Sequence, residues 1–197
     1  LTEIVDFTHD AESGTVSFQD EVGKTRPKQY LVAREERWKR PINIELSRSS
    51  NLKSAAQGAD FIVITHDDFR EAADRLAAWR SSDERFGPAF AVKVVEVNDI
   101  YDEFSAGLMD PASIRNFLKF AAENWDPAPL YVVLLGDGSY DYKNNSGTSQ
   151  GNWIPPFQDG ESTYDEWYAR VAGDDRIPDM AIGRLTVQTP AEAELVV

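Results

Sequence analysis

The sequence of 197 residues contains no cysteine and only two histidines, His9 and His66. Without cysteine, these residues hold no disulfide, no thiolate metal site and no cysteine nucleophile. This absence is compatible with either redox compartment, so it does not indicate where the protein resides. The sequence also contains no apolar run long enough to span a bilayer, which predicts no membrane-spanning segment.

Acidic residues outnumber basic residues by 34 to 20, which produces a formal net charge of −14. A chain of this charge repels phosphate backbones, so we expect no nucleic-acid partner. It attracts cations, including calcium, and basic peptide segments. Hydrophobic residues make up 42% of the chain and charged residues 27%, which are proportions typical of a folded protein.

The first 55 residues differ in pattern from the rest and predict a small β-rich unit, the tail of a preceding domain. Short strand-like runs occur at residues 15–19 and 29–33, and residues 42–46 alternate between apolar and polar. Polar turns separate these runs, so we expect a small antiparallel β unit. Residues 51–57 are expected to form a helical turn.

From residue 56 to residue 197, strands and helices alternate, which predicts one α/β subdomain with a parallel sheet covered by helices. The continuous apolar run at residues 61–64 predicts a strand buried on both faces. Further strands are expected at residues 90–97, 130–135 and 180–182.

Two longer helices are predicted between these strands, with a short helix at residues 99–104. Asp67 or Asp68 is expected to cap the first longer helix, which extends to Trp79 and turns that residue inward on helical spacing. Asp110 followed by Pro111 predicts the start of the second, because proline at the first helical position loses no hydrogen bond.

The strand predicted at residues 130–135 ends in the turn Gly136-Asp137-Gly138, a position where parallel α/β proteins build their sites. The turn begins like the dinucleotide-binding motif G-x-G-x-x-G, but Asp141 replaces the third glycine and loop-like residues follow. We therefore reject a nucleotide site. Two interpretations stay open with equal weight: a tight turn that requires glycine, or a site lined by Asp137 and Asp141.

Residues 159–179 are rich in carboxylates, which are the oxygen ligands that calcium prefers, although their spacing does not match an EF-hand. Most of these acids are expected to be solvated surface residues. Asp165 and Asp175 are the better site candidates, and Asp165 lies beside Tyr164, Trp167 and Tyr168. An acid among aromatic rings can bind a basic side chain through charge pairing and cation–π contact.

His66 follows the first predicted α/β strand and could act as a general base. A structural role beside the helix start is favoured, because a lone histidine without a nearby nucleophile makes no catalytic dyad. A self-contained hydrolase would use His66 with Asp137 or Ser139. Ser139 lacks the G-x-S-x-G context of a serine hydrolase, and His9 has no predicted role.

Five motifs, taken in their order and spacing, resemble those of the gingipain-type cysteine peptidases. They are Ala-Asp-Phe-Ile-Val-Ile-Thr-His at residues 59–66, Asn-Asp-Ile-Tyr-Asp-Glu-Phe-Ser at 98–105, Ile-Arg-Asn-Phe-Leu at 114–118, Tyr-Val-Val-Leu-Leu-Gly-Asp at 131–137, and Gly-Asp-Asp at 173–175 followed by Ala-Ile-Gly-Arg at 181–184. The similarity covers residues 59–197. Within the family, the chain is more similar to the branch that resembles the cell-surface sortase of type IX secretion. It implies a caspase-like α/β fold with two side-by-side sheets, of which this chain holds the first subdomain.

The resemblance also implies where the chemistry lies. In this family the catalytic histidine and cysteine belong to the second subdomain, so no catalytic residue is expected in this chain and the dyad is expected beyond Val197. Arginine-specific members bind the basic side chain with an aspartate in a Ser-Asp-Gln-x-Tyr-Gly stretch, which corresponds to Asp165. Tyr164 replaces the serine and Glu166, Trp167 and Tyr168 follow, so the residues around Asp165 depart from that stretch and arginine specificity stays open. Asp165, Trp167 and Tyr168 are the implied substrate-binding residues.

Family members also bind calcium in this subdomain through carboxylates and carbonyls, which suits the acidic stretch without fixing the ligands. Our candidate ligands are Asp137, Asp174 and Asp175, and no organic cofactor is expected. The implied partners are a peptide or protein substrate and the catalytic subdomain, in an extracellular or bacterial cell-surface setting. We therefore expect the N-terminal part of a secreted or surface cysteine endopeptidase, inactive alone, which shapes the substrate pocket. The alternative is a non-catalytic calcium-binding or docking module of a peptidase-like protein.

Overall fold

The computed structural model describes residues 4, 6–20, 29–32, 50–85, 87–147 and 151–197. The chain divides into two compact units, Leu1–Glu45 and Leu46–Val197. The domain boundary that the sequence pattern predicts, after residue 55, stays a prediction.

The first unit contains a β-hairpin of β1 (Phe7–Asp10) and β2 (Thr15–Phe18), which pair antiparallel. Asp10 organises the turn between them, because its carboxylate accepts the backbone N–H of Glu12 at 3.0 Å. The strand predicted at residues 15–19 is confirmed, whereas residues 29–32 do not form a strand. Residue 33 and the strand predicted at residues 42–46 lie outside the described residues.

In the described residues of the second unit, four parallel strands form the main sheet: β3 (Phe61–Thr65), β4 (Val92–Glu96), β5 (Tyr131–Leu135) and β8 (Ala181–Leu185). A separate hairpin consists of β6 (Gln158–Asp159) and β7 (Ser162–Thr163). The order across the sheet is β4-β3-β5-β8. All five residues of β3 are buried, since this strand pairs on both sides and is covered on both faces. The predicted parallel sheet is confirmed.

Four α-helices accompany these strands in the described part of the chain: α1 (Arg70–Arg80), α2 (Val97–Ser105), α3 (Pro111–Asn124) and α4 (Pro190–Val196). The same described residues also form two 3-10 helices, Asp67–Phe69 and Asp165–Ala169. The start of α3 is as predicted, because the Asp110 carboxylate accepts the Ala112 N–H at 2.9 Å and Pro111 follows it. None of these helices, within the residues described, combines the length and apolar character needed to cross a bilayer.

Two apolar clusters hold the helices to the two faces of the sheet. On one face, Ile62 and Ile64 of β3 pack in a cluster with α2 and α3 residues such as Ile100 and Phe117. On the other face, Phe61 and Val63 belong to a cluster with α1 and α4 residues. Side chains alternate between the faces along a strand, so one short apolar run serves both clusters.

Some local details differ from the predictions. The cap of the 3-10 helix Asp67–Phe69 is His66, whose ring nitrogen Nδ1 accepts the Asp68 N–H at 3.2 Å, and not an aspartate. Trp79 does not turn inward: it is 46% exposed and lies against the Arg80 and Arg85 guanidinium groups. Residues 51–57 form two consecutive turns instead of a helical turn.

Candidate functional site

Polar residues follow three of the four parallel strands where those strands end. His66, Asp67 and Asp68 follow β3, the segment 136–139 follows β5, and Gln188 lies shortly after β8. The strands are parallel, so these ends meet at one side of the sheet, which we call the carboxyl edge. Open α/β sheets bind their ligands in this position.

Asp137 ties two loops of the carboxyl edge together. Its carboxylate accepts Nε2–H of Gln188 at 2.7 Å and the N–H of Gly138 at 2.8 Å. Its backbone N–H donates to Val187 at 2.9 Å, and its carbonyl accepts the Ile154 N–H at 3.1 Å. Both carboxylate oxygens of Asp137 therefore have a partner within the chain, one in the turn itself and one on Gln188 of the loop after β8.

Asp165 forms a bidentate ion pair with Arg184, the fourth residue of β8. Nε and Nη2 of Arg184 donate to the two carboxylate oxygens at 2.7 and 2.6 Å. Nη1 donates to the carbonyls of Gly136 and Ile154, each at 2.8 Å. The Arg184 side chain is only 10% exposed and that of Asp165 27%. The predicted binder of a basic substrate side chain is thus occupied by a guanidinium of its own chain.

The two aromatic residues predicted beside Asp165 differ in accessibility. Trp167 is half-buried and stacks on Phe157 with ring centroids 3.7 Å apart, while the Arg115 guanidinium lies 4.9 Å from its ring. Tyr168 is fully buried, and its hydroxyl donates to the Pro155 carbonyl at 2.6 Å. Burial raises the pKa of the Tyr168 hydroxyl well above its usual range. Trp167 is therefore the more accessible of the pair, and the substrate roles of both stay predictions.

His66 is held by its own chain neighbours. Its Nδ1 accepts the Asp68 N–H at 3.2 Å, and a nitrogen that accepts a hydrogen bond cannot also donate one to the carboxylates of Asp67 and Asp68, which lie 2.8 and 3.5 Å away. Trp153 donates to Asp68 at 3.2 Å. These contacts agree with the structural role, because the nitrogen that caps the 3-10 helix is already engaged. No hydrogen bond or ion pair of the described residues links His66 to Ser139 or Asp137, the partners required by a self-contained hydrolase.

The three acids predicted to bind calcium lie at different places. Asp137 follows β5 at the carboxyl edge, whereas Asp174 and Asp175 precede β8 in an exposed loop. In that loop Asp175 accepts the Ile177 N–H at 2.8 Å. In the described part of the chain, only His66, Asp67 and Asp68 bring three ligand atoms within 4.8 Å of one another. The three predicted acids therefore do not form one ligand set, and calcium binding stays a prediction.

Asp141 and Asp179 each order a loop, and Asp141 is the second acid of the site interpretation of the glycine turn. Asp141 accepts the N–H groups of Ser146 at 2.7 Å and Asn145 at 2.9 Å, and these bonds lower the pKa of Asp141. An open cavity of about 430 Å³ lies beside this loop, lined by residues 140–143, Asn145, Ser146 and Gln158. Asp179 accepts the N–H groups of Ala172 and Val171, each at 2.8 Å, which lowers its pKa in the same way.

Two residues to which the sequence analysis gave no role of their own prove central to this edge, Arg184 and Gln188. The sequence offers one signal for Arg184: it is a charged residue inside the apolar run of a short strand. A charged side chain that is buried requires a partner. Gln188 offered no signal, because a glutamine after a strand is an ordinary loop residue.

Comparison with known proteins relates the chain to one family. The profile of Peptidase family C25 matches residues 54–197. Among solved structures, dimeric latent PorU from Porphyromonas gingivalis is 25% identical with a TM-score of 0.59, over 70% of this chain and 15% of that chain. The complex of RgpB pro- and mature domains from the same organism is 21% identical with a TM-score of 0.50, over 68% of this chain and 26% of that one.

These matches confirm the caspase-like fold and the predicted gingipain-type family. No curated protein sequence matches the chain significantly. The chain spans only a small part of the chains it matches, 15% of the PorU chain and 26% of the matched chain in the RgpB complex. Because the profile match covers residues 54–197, most of the 197 residues, the chain belongs to Peptidase family C25.

Proposed function

We propose that this chain shapes the substrate pocket of a gingipain-like cysteine endopeptidase whose catalytic cysteine and histidine come from residues outside these 197. The observation that carries the proposal is the family match over residues 54–197 in a sequence without cysteine. A cysteine peptidase requires a thiolate activated by a neighbouring base, and this chain offers no thiol. Its own contribution is therefore recognition and support.

The carboxyl edge suits such a supporting role. Asp137 joins the loops after β5 and β8, and Arg184 joins the end of β5 to the 3-10 helix Asp165–Ala169. These hydrogen bonds fix three separate segments relative to one end of the sheet. A substrate pocket needs such fixed walls, because small displacements of a bound substrate reduce the rate of reaction strongly.

Peptide cleavage by the parent protein tests the proposal. We expect a thiol-directed reagent such as iodoacetamide to abolish cleavage, and replacement by alanine of the catalytic cysteine or histidine to lower kcat by about 10⁴-fold or more. His66→Gln in the same protein should keep cleavage, because His66 caps a 3-10 helix. Cleavage that survives loss of every cysteine would overturn the proposal, and loss of cleavage in His66→Gln would support a hydrolase based on His66.

A second candidate function is a non-catalytic docking or calcium-binding module. It is favoured by the Asp165–Arg184 ion pair. Both carboxylate oxygens of Asp165 already have a partner in this pair, so neither is free for a basic side chain of a substrate. Calcium that binds the folded chain would raise its Tm. The measurement is thermal unfolding of the chain in millimolar calcium, with magnesium at equal ionic strength as the control. Equal Tm values in calcium, in magnesium and with a chelator would contradict calcium binding by the folded chain.

We also propose an extracellular or bacterial cell-surface location for the parent protein, which rests on its membership of the family. Labelling of intact cells with an antibody against residues 46–197 tests this location. Signal that appears only after the cells are lysed would contradict it.

A further inference from the structure

We propose that the edge of the sheet where the parallel strands begin carries a docking surface for a protein segment, in which one carboxylate stands beside an aromatic or large aliphatic side chain. The surface consists of Phe61, Trp79, Arg80, Phe90 and Tyr131, which we call the amino-edge patch. It lies at the end of the sheet opposite to the carboxyl edge. Its role therefore does not depend on the proposed function.

The rings of the amino-edge patch form one connected surface. Phe61 and Tyr131 are register partners at the start of β3 and β5, and Phe90 lies just before β4. The ring centroid of Phe61 lies 5.7 Å from that of Phe90 and 6.1 Å from that of Tyr131, and the last two are 5.2 Å apart. Tyr131 is 41% exposed and Trp79, near the end of α1, is 46% exposed. Aromatic surface therefore reaches solvent at this edge.

The guanidinium of Arg80 joins Trp79 to the other rings. Its carbon Cζ lies 4.5 Å from the ring centroid of Trp79 and 5.4 Å from that of Phe61. Cation–π contacts with two rings restrict the orientation of the planar group. A guanidinium that is already held in place loses little conformational entropy when it binds a carboxylate.

Arg80 has no acidic partner in the described part of the chain. No hydrogen bond or ion pair to another described residue engages its guanidinium, and its Nε is enclosed without a partner. Acids on neighbouring segments are engaged elsewhere. Both carboxylate oxygens of Asp83 accept from Arg85, at 2.7 and 2.9 Å, and Asp60 accepts a backbone N–H at 2.9 Å. A guanidinium pairs most strongly with a carboxylate, so Arg80 indicates a carboxylate ligand from another molecule.

The composition of the patch and the charge of the chain together define the partner. One guanidinium among aromatic rings matches one carboxylate with an apolar neighbour, because aromatic surfaces bind apolar side chains. A nucleic acid is disfavoured, since its backbone requires several basic groups and this chain carries a net charge of −14. The same charge repels a second copy or a strongly acidic partner. The partner segment therefore carries a single carboxylate at the contact.

Peptide binding to the unsubstituted chain of 197 residues tests the docking surface. The probe is the acetylated, amidated tripeptide Phe-Glu-Phe, and Phe-Gln-Phe and Ala-Glu-Ala in the same form are the controls. NMR follows the indole N–H signal of Trp79, which is assigned from its absence in Trp79→Phe. We expect a saturable shift with Phe-Glu-Phe and affinities about tenfold lower for both controls. No saturable shift, or equal affinity for Phe-Glu-Phe and Phe-Gln-Phe, would overturn the inference.

Two arginines of α1 provide a matched pair of substitutions. Arg80→Gln should weaken the binding of Phe-Glu-Phe about tenfold, because the peptide loses its charged partner. Arg75→Gln should leave the affinity unchanged, since Arg75 is exposed and pairs with Glu194. Thermal unfolding shows that each variant is folded, and the peptide comparison in the unsubstituted chain decides if one is not. Equal losses of affinity in the two folded variants would overturn the inference, because they would reflect only the net charge.

Two other occupants are outcomes of the same series. Sedimentation equilibrium measures self-association, and a dimer that Arg80→Gln abolishes would assign the patch to a second copy of the chain. An oligothymidylate that binds at Trp79 more tightly than Phe-Glu-Phe would assign it to a nucleic acid. Either result would overturn the inference. None of these measurements requires peptide cleavage, so a failure of the proposed function leaves their outcome unchanged.

Discussion

At the scale of single residues, two buried tyrosines of the second unit differ in the hydrogen bonding of their hydroxyl groups. The Tyr168 hydroxyl donates to the Pro155 carbonyl at 2.6 Å, whereas the buried Tyr101 hydroxyl has no hydrogen-bond partner in the part of the chain that the structure describes. Burial raises the pKa of both hydroxyls well above the usual range, so both are neutral under ordinary conditions. A buried polar group without a partner lowers the stability of the folded state.

The two tyrosines therefore form a matched pair of substitutions. We expect Tyr168→Phe to lower the free energy of unfolding by about 1–2 kcal/mol, because the buried Pro155 carbonyl loses its donor. Tyr101→Phe should leave this free energy unchanged or raise it slightly, since it removes an unpaired hydroxyl. Urea unfolding followed by circular dichroism measures both. Equal losses in the two variants would mean that the Tyr101 hydroxyl is hydrogen-bonded.

Two glycines near the carboxyl edge differ in the space around them. A Cβ atom at Gly138 would lie 2.2 Å from the Ile154 carbonyl oxygen, whereas a Cβ at Gly183 would meet nothing within 4 Å. We expect Gly138→Ala to destabilise the chain by about 2 kcal/mol or more, because backbone atoms must shift. Gly183→Ala should change stability by no more than about 0.5 kcal/mol. Urea unfolding of both variants checks this, and a neutral Gly138→Ala would contradict the close approach.

The residues of the candidate site could be predicted from sequence only in part. Asp165 and Asp137 were identified, because an acid among aromatics and an acid after a buried strand are local patterns. Their partners were not, since Arg184 lies 19 positions from Asp165 and Gln188 lies 51 positions from Asp137. Such pairs depend on how neighbouring strands align, and no local pattern of residues encodes that alignment.

At the scale of elements, α2 holds the segment that leads into the sheet. The Glu103 carboxylate accepts hydrogen bonds from the Ser50 hydroxyl and from the N–H groups of Leu52 and Lys53, the last two at 2.8 and 3.0 Å. Burial raises the pKa of Glu103, but these hydrogen bonds outweigh it, and the net pKa is lowered. Leu52 is 2% exposed, so this contact fixes a core residue.

A lowered pKa of Glu103 in the folded state has a defined consequence for stability. The contribution is fully present above the unfolded pKa of about 4.3 and is lost as pH falls through the lower folded pKa. We expect Glu103→Gln to destabilise the chain at pH 7 and to reduce the loss of stability on acidification below about pH 4. Urea midpoints across a pH series provide the measurement.

Glu123→Gln on α3 is a suitable control for that series, because its ion pair with Lys119 is exposed and 3.9 Å long. The control should unfold at nearly the same midpoint as the unsubstituted chain at pH 7. A pH dependence in Glu103→Gln equal to that of the unsubstituted chain would contradict the role of Glu103.

The elements themselves were predictable to different degrees. The start of α3 was read from Asp110-Pro111, because capping and proline geometry are local effects. β1 was missed, since Phe7–Asp10 is exposed along its whole length and shows no apolar alternation. Trp79 was assigned inward from helical spacing, but its position lets it contact two guanidinium groups at the surface instead.

At the scale of the whole molecule, the core of the described residues lies entirely in the second unit. The buried apolar side chains run from Leu52 to Ala193. The first unit contributes an exposed hairpin, in which all four residues of β1 are exposed. The stability of the second unit therefore does not depend on a core residue from the described part of the first.

Truncation tests this distribution of the core. We expect residues 46–197 to unfold cooperatively with a Tm within about 4 °C of that of the full chain, which corresponds to about 1 kcal/mol in a domain of this size. A shorter piece, residues 58–197, should be less stable, because it loses Leu52 and the partners of Glu103. Thermal unfolding compares the three chains. Loss of a cooperative transition in residues 46–197 would contradict the independence of the second unit.

Composition and local pattern are enough to indicate an α/β protein with a parallel sheet, no thiol among these residues, and an acid among aromatic residues before the last strand. Apolar periodicity, capping and composition are local properties, so they can be read without a structure. The pairing of Arg184 with Asp165 and the cap that His66 provides to a 3-10 helix are seen only in the folded chain. The physical reason is that these pairings follow from strand register and side-chain direction, which bring distant residues within hydrogen-bonding distance only after the chain has folded.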